Sequence, residues 1–185
     1  MYYLAYGSNL HPYRLSKRLP TAELVGVTSL QGLQLAFHKR SRDGSAKCMY
    51  VETGSADDHL HAAIYRIARQ EKLILDSIEG LGQGYDEANH RVRLDGTVLD
   101  TFAYAAAPTH VEPGLKPFDW YREMVLLGAE YHGFPATLSA FIRTIETMPD
   151  PDAARGQEKA DLCTRMRDIN KNGSHSLTAM ALPIP

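Results

Sequence analysis

Residues 3–10, Tyr3-Leu4-Ala5-Tyr6-Gly7-Ser8-Asn9-Leu10, carry an apolar, strand-like stretch directly into a Gly-Ser-Asn turn. A strand that ends in glycine and short polar residues can turn with positive φ. It then leaves consecutive amides pointing off the sheet, a geometry suited to an anion or an oxyanion. The plainer reading is a strand-to-helix turn in which Ser8 or Asn9 caps a helix that Pro12 begins to fix. Either way the chain opens with a strand over residues 1–7 and a short helix over 12–19, stopped by Pro20.

Outward from this stretch, strand signals dominate the first half. Segments 24–30, 33–38, 48–53 and 60–67 are rich in β-branched, aromatic and alternating residues, with Gly32, Asp43-Gly44 and Gly54-Ser55 between them. They predict a mostly antiparallel, meander-like sheet. Residues 69–79 switch to a helical pattern in which Ile74, Leu75 and Ile78 form a stripe that can face the sheet, and Gly80 and Gly82 end it. Strands follow at 87–94 and 97–106, joined by Asp95-Gly96, a dipeptide that accepts positive φ at both central turn positions. From Pro117 the chain is helical, with Gly133-Phe134-Pro135 separating a second helix over 136–148. Residues 152–171 read as a mostly exposed helix, and residues 172–185 as a tail. The sum is an α+β fold, a small, mostly antiparallel β-barrel with flanking helices. The expected division is a domain over residues 1–150 and a C-terminal helical extension over 151–185.

Composition narrows the classes of function. A chain of 185 residues, 44% hydrophobic and 23% charged, suits one well-packed core. Its net charge of −2 gives no broad attraction to nucleic acid or to an anionic membrane surface, so neither is expected as a partner. The basic run His38-Lys39-Arg40-Ser41-Arg42, followed by Asp43-Gly44, reads as a solvated hairpin loop. Cys48 and Cys163 are far apart and lack metal-ligand spacing, which argues against a disulfide framework and a structural zinc site. No stretch approaches the roughly 20 apolar residues of a membrane span, and a reduced, cytoplasmic setting is the expectation. His59 and His61 share one strand face without a third ligand at useful spacing, and read as an exposed edge. No phosphate loop, dinucleotide fingerprint or Ser-His-Asp spacing appears, and the expectation is a cofactor-free protein with no metal.

Glu79 is the carboxylate that stands out. It ends the 69–79 helix and directly precedes Gly80-Leu81-Gly82-Gln83-Gly84-Tyr85, where glycines let backbone approach a ligand. The helix macrodipole opposes a carboxylate at that end, so helix stability does not explain it, and its proton affinity is expected to tend upward, as a general base requires. The plainer reading is a solvated glutamate.

Three separated segments together resemble the γ-glutamylcyclotransferase family. Residues 3–10 are similar to the family's Tyr-Gly-Ser-Asn-Leu substrate loop. Leu75-Asp76-Ser77-Ile78-Glu79-Gly80, with Tyr85 after it, resembles the segment carrying the family's acid/base glutamate and a following tyrosine. Tyr121-Arg122-Glu123-Met124-Val125-Leu126-Leu127-Gly128-Ala129 with Gly133-Phe134-Pro135 resembles the family's Tyr-x6-Gly-Ala-x3-Gly-Leu-Pro helix, Phe134 standing in place of Leu. Residues 150–185 have no counterpart.

The resemblance implies a small β-barrel with flanking helices and conversion of a γ-glutamyl amino acid, peptide or amine to 5-oxoproline and the free amine. Glu79 is then the general base and acid, with Tyr6, Gly7, Ser8, Asn9, Leu10, Tyr85 and Tyr121 binding substrate. The amides of residues 7–10 would hold either the α-carboxylate or the developing oxyanion. Tyr104 is expected to be structural. The loop differs from those of the glutathione-directed and γ-glutamyl-lysine-directed branches, so those substrates are less expected. A pathway-specific deprotecting cyclotransferase with a wider acceptor side uses the same chemistry. The alternative of another class is a non-catalytic module binding a γ-glutamyl or acidic metabolite. A monomer or homodimer is expected.

Overall fold

The computed structural model describes residues 1–173. Along them run β1 (Tyr2–Ala5), α1 (Pro12–Ser16), β2 (Glu23–Gln31), β3 (Leu33–Arg40), β4 (Ala46–Glu52), β5 (His59–Arg66) and α2 (Arg69–Glu79). Then come β6 (Tyr85–Leu94), β7 (Thr97–Ala106), α3 (Asp119–Tyr131), α4 (Ala136–Thr144) and α5 (Ala153–Gly173). The tail expected over 172–185 lies almost wholly outside the described residues.

The main sheet has the order β2-β5-β1-β7-β6, and β3 pairs with β4 as a separate ribbon. Pairing within the main sheet is antiparallel except where β1 runs parallel to β7. The fold is the expected α+β class, a curled, mostly antiparallel half-barrel with helices around it. Its two edge strands approach through side chains: a Cβ added at Gly26 of β2 would come within 2.8 Å of Leu94 Cδ1 on β6. Curling the sheet in this way follows from strand twist and covers edges that would otherwise be open to other strands.

The strand order departs from the meander expected. β2 passes over β3 and β4 to pair with β5, leaving the β3–β4 hairpin nested inside that longer pair, and β1 takes the centre. β1 is buried along Tyr3–Ala5, which suits a central strand. The 95–96 hairpin is as expected, with φ of 48° at Asp95 and 81° at Gly96.

The helices depart in detail. α1 is capped by His11, whose Nδ1 accepts the Tyr13 N–H at 3.1 Å, and not by Ser8 or Asn9. A turn lies ahead of it, with the Leu10 N–H donating to Gly7 O at 3.0 Å; the helix starts at Pro12 as expected but ends at Ser16, short of the expected 19. Of the stripe expected on α2, Leu75 is fully buried, but Ile74 and Ile78 are 47% and 43% exposed. Polar groups turn toward the sheet instead: Lys72 pairs with Asp76 at 2.7 Å and Glu87 at 2.8 Å, and Tyr104 donates to Asp76 at 2.6 Å.

α3 supplies the main helical packing face, including Met124 and Val125, both fully buried. α4 ends at Thr144, short of the expected 148, because Met148 bridges back to Phe118. α5 is exposed over most of its length and packs on α3 through Cys163 and Met166. Arg167 pairs there with Glu123 at 2.7 Å, and Asn170 Nδ2 donates to Leu127 O at 3.0 Å. Cys48 and Cys163 are free and buried. No described helix is long and apolar enough to cross a membrane.

Candidate active site

The strand that begins the chain and the helix that precedes Gly80 end at one narrow cavity of about 30 Å³. β1 delivers Tyr6 through Asn9 to its wall, α2 delivers Glu79, the start of β6 Tyr85, and α3 Tyr121. Gly80 closes α2 in the left-handed conformation, φ 71°, which glycine adopts without a Cβ clash, and so turns the chain sharply away just after Glu79.

Residues 9 and 79 touch. Asn9 Nδ2 donates to Glu79 Oε1 at 3.0 Å and to Tyr3 Oη at 3.1 Å, while Arg18 Nη1 donates to both Asn9 Oδ1, at 3.0 Å, and Glu79 Oε1, at 2.9 Å. Both contacts to the carboxylate fall on Oε1. Oε2 has no hydrogen-bond partner among the described residues. Arg18, from the turn after α1, is the cation that closes on this carboxylate.

The loop works differently from the positive-φ turn expected, because Gly7 is not among the residues with positive φ. Glycine is needed there for space: a Cβ would stand 3.0 Å from Cys48 Cβ, 3.5 Å from its Sγ and 3.6 Å from Tyr121 Oη. The Ser8 and Asn9 amides donate to no backbone or side-chain acceptor among the described residues and remain available at the cavity. Leu10 is a correction. It is 1% exposed in the core, its N–H is used in the turn to Gly7, and its carbonyl accepts from Tyr65 at 2.5 Å.

The tyrosines differ in what they can still offer. Tyr85 donates its proton to Cys48 O at 2.5 Å, whereas Tyr121 accepts the Cys48 N–H at 3.0 Å and keeps its own proton to give. The Tyr6 hydroxyl bonds to the Tyr104 carbonyl. Burial pushes the phenols of Tyr6, Tyr85 and Tyr121 well above their usual range, so they stay protonated. Burial also pushes the Cys48 thiol up to about 12, which leaves it an inert wall residue and no nucleophile. Tyr104 has a structural hydroxyl bond to Asp76, as expected, yet its ring also lines the cavity.

A second hollow of about 210 Å³ adjoins the first and shares Ser8, Glu79, Tyr85 and Tyr121 with it. Arg14, Arg18, Lys39, Lys47 and Lys159 line it. The basic run 38–42 is therefore not the wholly solvated loop expected: Lys39 is 6% exposed and its ammonium lies 4.5 Å from the centre of the Tyr85 ring. Arg14, Arg18 and Lys39 line the candidate site without having been singled out from the sequence. The four-residue spacing of Arg14 and Arg18, one turn of helix, was the available signal. His59 and His61 lie on the part of β5 that pairs with β2 alone, since β1 pairs only with Ala63–Arg66, so this stretch is a local edge, with His59 exposed and the two rings 6.4 Å apart. Among the described residues no three His, Cys, Asp or Glu side chains are grouped to hold a metal.

No family model matches the chain. It is 26% identical over 185 residues to a mouse γ-glutamylcyclotransferase, covering 95% of this chain and 90% of that protein. A solved γ-glutamyl cyclotransferase matches it with a TM-score of 0.73 at 21% identity, over 89% of this chain and 98% of the other. An uncharacterized Homo sapiens protein matches with a TM-score of 0.71 at 22% identity, over 88% and 97% of the two chains. YkqA from Bacillus subtilis matches with a TM-score of 0.66 at 22% identity, over 80% of this chain and 56% of its own. These structures share the fold.

Proposed function

The chain belongs to the γ-glutamylcyclotransferase family, and from that premise we propose that it converts a γ-glutamyl amino acid, peptide or amine to 5-oxoproline and the free amine. The observation that carries the reading is the meeting of Glu79, with one carboxylate oxygen unoccupied, and the Ser8 and Asn9 amides, without acceptors, at a single cavity.

The substrate brings its own nucleophile. Its α-amino group can reach the γ-carbonyl carbon and close a five-membered ring, so the protein has to deprotonate, orient and stabilise charge. As an ammonium the amine cannot attack. Glu79 takes that proton on Oε2, the nitrogen bonds to the γ-carbon, and the carbonyl electrons move onto oxygen. When the oxyanion collapses, the bond from the γ-carbon to the leaving nitrogen breaks and the proton returns from Glu79 to that nitrogen. The attacking nitrogen still carries two hydrogens in the ring, and the Glu79 carboxylate, restored by that transfer, takes the second and passes it to the released amine, which departs as an ammonium; one ammonium is consumed and one is formed, without a cofactor.

The Tyr121 hydroxyl and the Ser8 and Asn9 amides are donors placed to meet the developing oxyanion or the α-carboxylate. Holding the glutamyl chain in a ring-closing conformer lowers the barrier further, on the scale of several kcal/mol. The aromatic wall of Tyr3, Tyr6, Tyr85, Tyr104 and Tyr121 suits the methylenes of that chain and limits its conformers.

The test is to incubate the protein with a panel of γ-glutamyl amino acids, peptides and amines and to assay 5-oxoproline. The Arg18–Glu79 ion pair keeps one competing reading open, a non-catalytic module that binds a γ-glutamyl metabolite. Tight binding in calorimetry without 5-oxoproline formation would select it.

A further inference from the structure

We propose that the outer hollow beside Glu79 is a subsite for a doubly anionic leaving group, so that the preferred substrate is a γ-glutamyl conjugate of a dicarboxylic amino acid or of a peptide presenting two carboxylates. The chemistry rests on the cyclotransferase reading. The charge of the subsite stands independently of it.

Five cations line this hollow, Arg14, Arg18, Lys39, Lys47 and Lys159, against the carboxylates of Asp43 and Glu79. Three of the five are neutralised where they stand: Arg18 by Glu79 at 2.9 Å, Lys47 by Asp43 at 2.9 Å and Lys159 by Glu158 at 2.6 Å. The remaining two, Arg14 and Lys39, form no ion pair among the described residues although each is only 6% exposed. Arg14 goes further: its Nε is buried and has no hydrogen-bond partner. Lys39 has the face of the Tyr85 ring, which attracts a cation but supplies no negative charge.

A buried cation normally comes with a counter-ion, because desolvating it unpaired costs several kcal/mol. Here that cost shows in both groups, whose protonated forms burial disfavours, Arg14 being lowered to about 10. Structural pairing does not account for two such residues from different elements, α1 and β3, converging on one hollow. A ligand with two negative charges does. The inner cavity, with the Ser8 and Asn9 amides, takes the glutamyl end of the substrate, and Glu79 stands at the boundary where the amide bond must lie. The cationic hollow therefore receives the amine side. The two free carboxylates of a glutamate or aspartate leaving group match its two unpaired cations in charge and number.

The experiment compares γ-glutamyl-glutamate with γ-glutamyl-glutamine, which has nearly the same shape and one charge fewer. It uses kcat/KM for 5-oxoproline formation and calorimetric Kd on the full chain. The glutamate conjugate should be preferred by about tenfold or more, and high salt should shrink the ratio. In Lys39→Gln, and in Arg14→Gln if that variant folds, the ratio should fall to about threefold or less. Equal kcat/KM and equal Kd for the two conjugates would overturn the subsite. A ratio unmoved by Lys39→Gln would do the same. Preferential binding of the glutamate conjugate without turnover would overturn the cyclotransferase reading and leave the subsite standing. Neither turnover nor preference would remove both.

Discussion

Arg18 Nη1 lies 2.9 Å from Glu79 Oε1 and, through the same nitrogen, 3.0 Å from Asn9 Oδ1, so one guanidinium ties the N-terminal loop to the end of α2. The ion pair sits at the mouth of the cavity with both side chains about one-fifth exposed. At that exposure its value to stability is small, on the order of 1 kcal/mol or less. Its consequence is positional, since it fixes which carboxylate oxygen is occupied and which is left for a substrate proton.

Replacing Arg18 should therefore act on turnover more than on folding. In Arg18→Met the expected fall in kcat is about 10- to 100-fold with a smaller change in KM and a denaturant midpoint close to wild type. Arg18→Lys should recover part of the loss. Steady-state kinetics on the three proteins distinguish this from a purely structural role, in which unfolding and activity would move together.

Tyr121 accepts the buried Cys48 N–H and keeps a proton to donate. Tyr121→Phe removes both, leaving an amide without its partner at a cost of about 1–3 kcal/mol. Chemical unfolding should register that loss, and kcat should fall in addition. An unchanged kcat in a destabilised variant would assign the hydroxyl a structural role alone.

Gly128 tests how closely α3 must approach the loop. An added Cβ there would lie 2.5 Å from Leu10 Cβ and 3.1 Å from the His11 nitrogen. Helix propensity alone favours alanine over glycine by roughly 1 kcal/mol, whereas overpacking of a filled site costs about 1–3 kcal/mol or more. Contact within van der Waals range decides the sign, and Gly128→Ala should destabilise in urea and lower kcat/KM as Leu10 moves the 7–9 loop.

His11 gives a pH dependence of stability. Burial, with a smaller contribution from facing His132, lowers its pKa from 6.5 to about 4, while a hydrogen bond to Asn170 opposes the shift. Its Nδ1 accepts the Tyr13 N–H and so must stay unprotonated, with the Nε2 proton directed at Asn170 Oδ1, 3.1 Å away. The unfolded chain takes up the proton first, so the stability from His11 is complete above pH 6.5 and declines as pH falls toward 4. The loss is about 3 kcal/mol over that window at 1.36 kcal/mol per unit. Unfolding free energies measured from pH 7 to 4.5 should fall less steeply in His11→Asn, which keeps a helix-capping side chain without a titrating ring.

The strands were legible because their cues are local. Asp95-Gly96 dictates its hairpin through two positive φ values, and the Glu79-Gly80 junction ends its helix for the same steric reason. Strand order was not, because pairing β2 with β5 across a nested hairpin depends on contacts that no window of sequence contains. The same distinction governs the site. Gly7, Glu79 and Tyr121 could be singled out from their segments, but Arg18, Arg14 and Lys39 enter through tertiary approach. Lys39 alternates with more exposed neighbours in a basic run, and its burial comes from contact with Tyr85 and Gly84, far away in sequence. On α2 the apolar residues predicted a sheet-facing stripe, but the ion pairs of Lys72 with Asp76 and Glu87 and the hydrogen bond from Tyr104 to Asp76 occupy that face.

The measurement that bears most directly on proton transfer by Glu79 is 5-oxoproline release from a γ-glutamyl amino acid by wild type and by Glu79→Gln, each checked for native folding. Glutamine keeps the shape and can keep the contact to Arg18 through its carbonyl oxygen, but its amide nitrogen cannot take up an ammonium proton. Wild type should release 5-oxoproline and the variant should lose about 100-fold or more of kcat, at the general acid–base scale. Full activity in Glu79→Gln would contradict the mechanism.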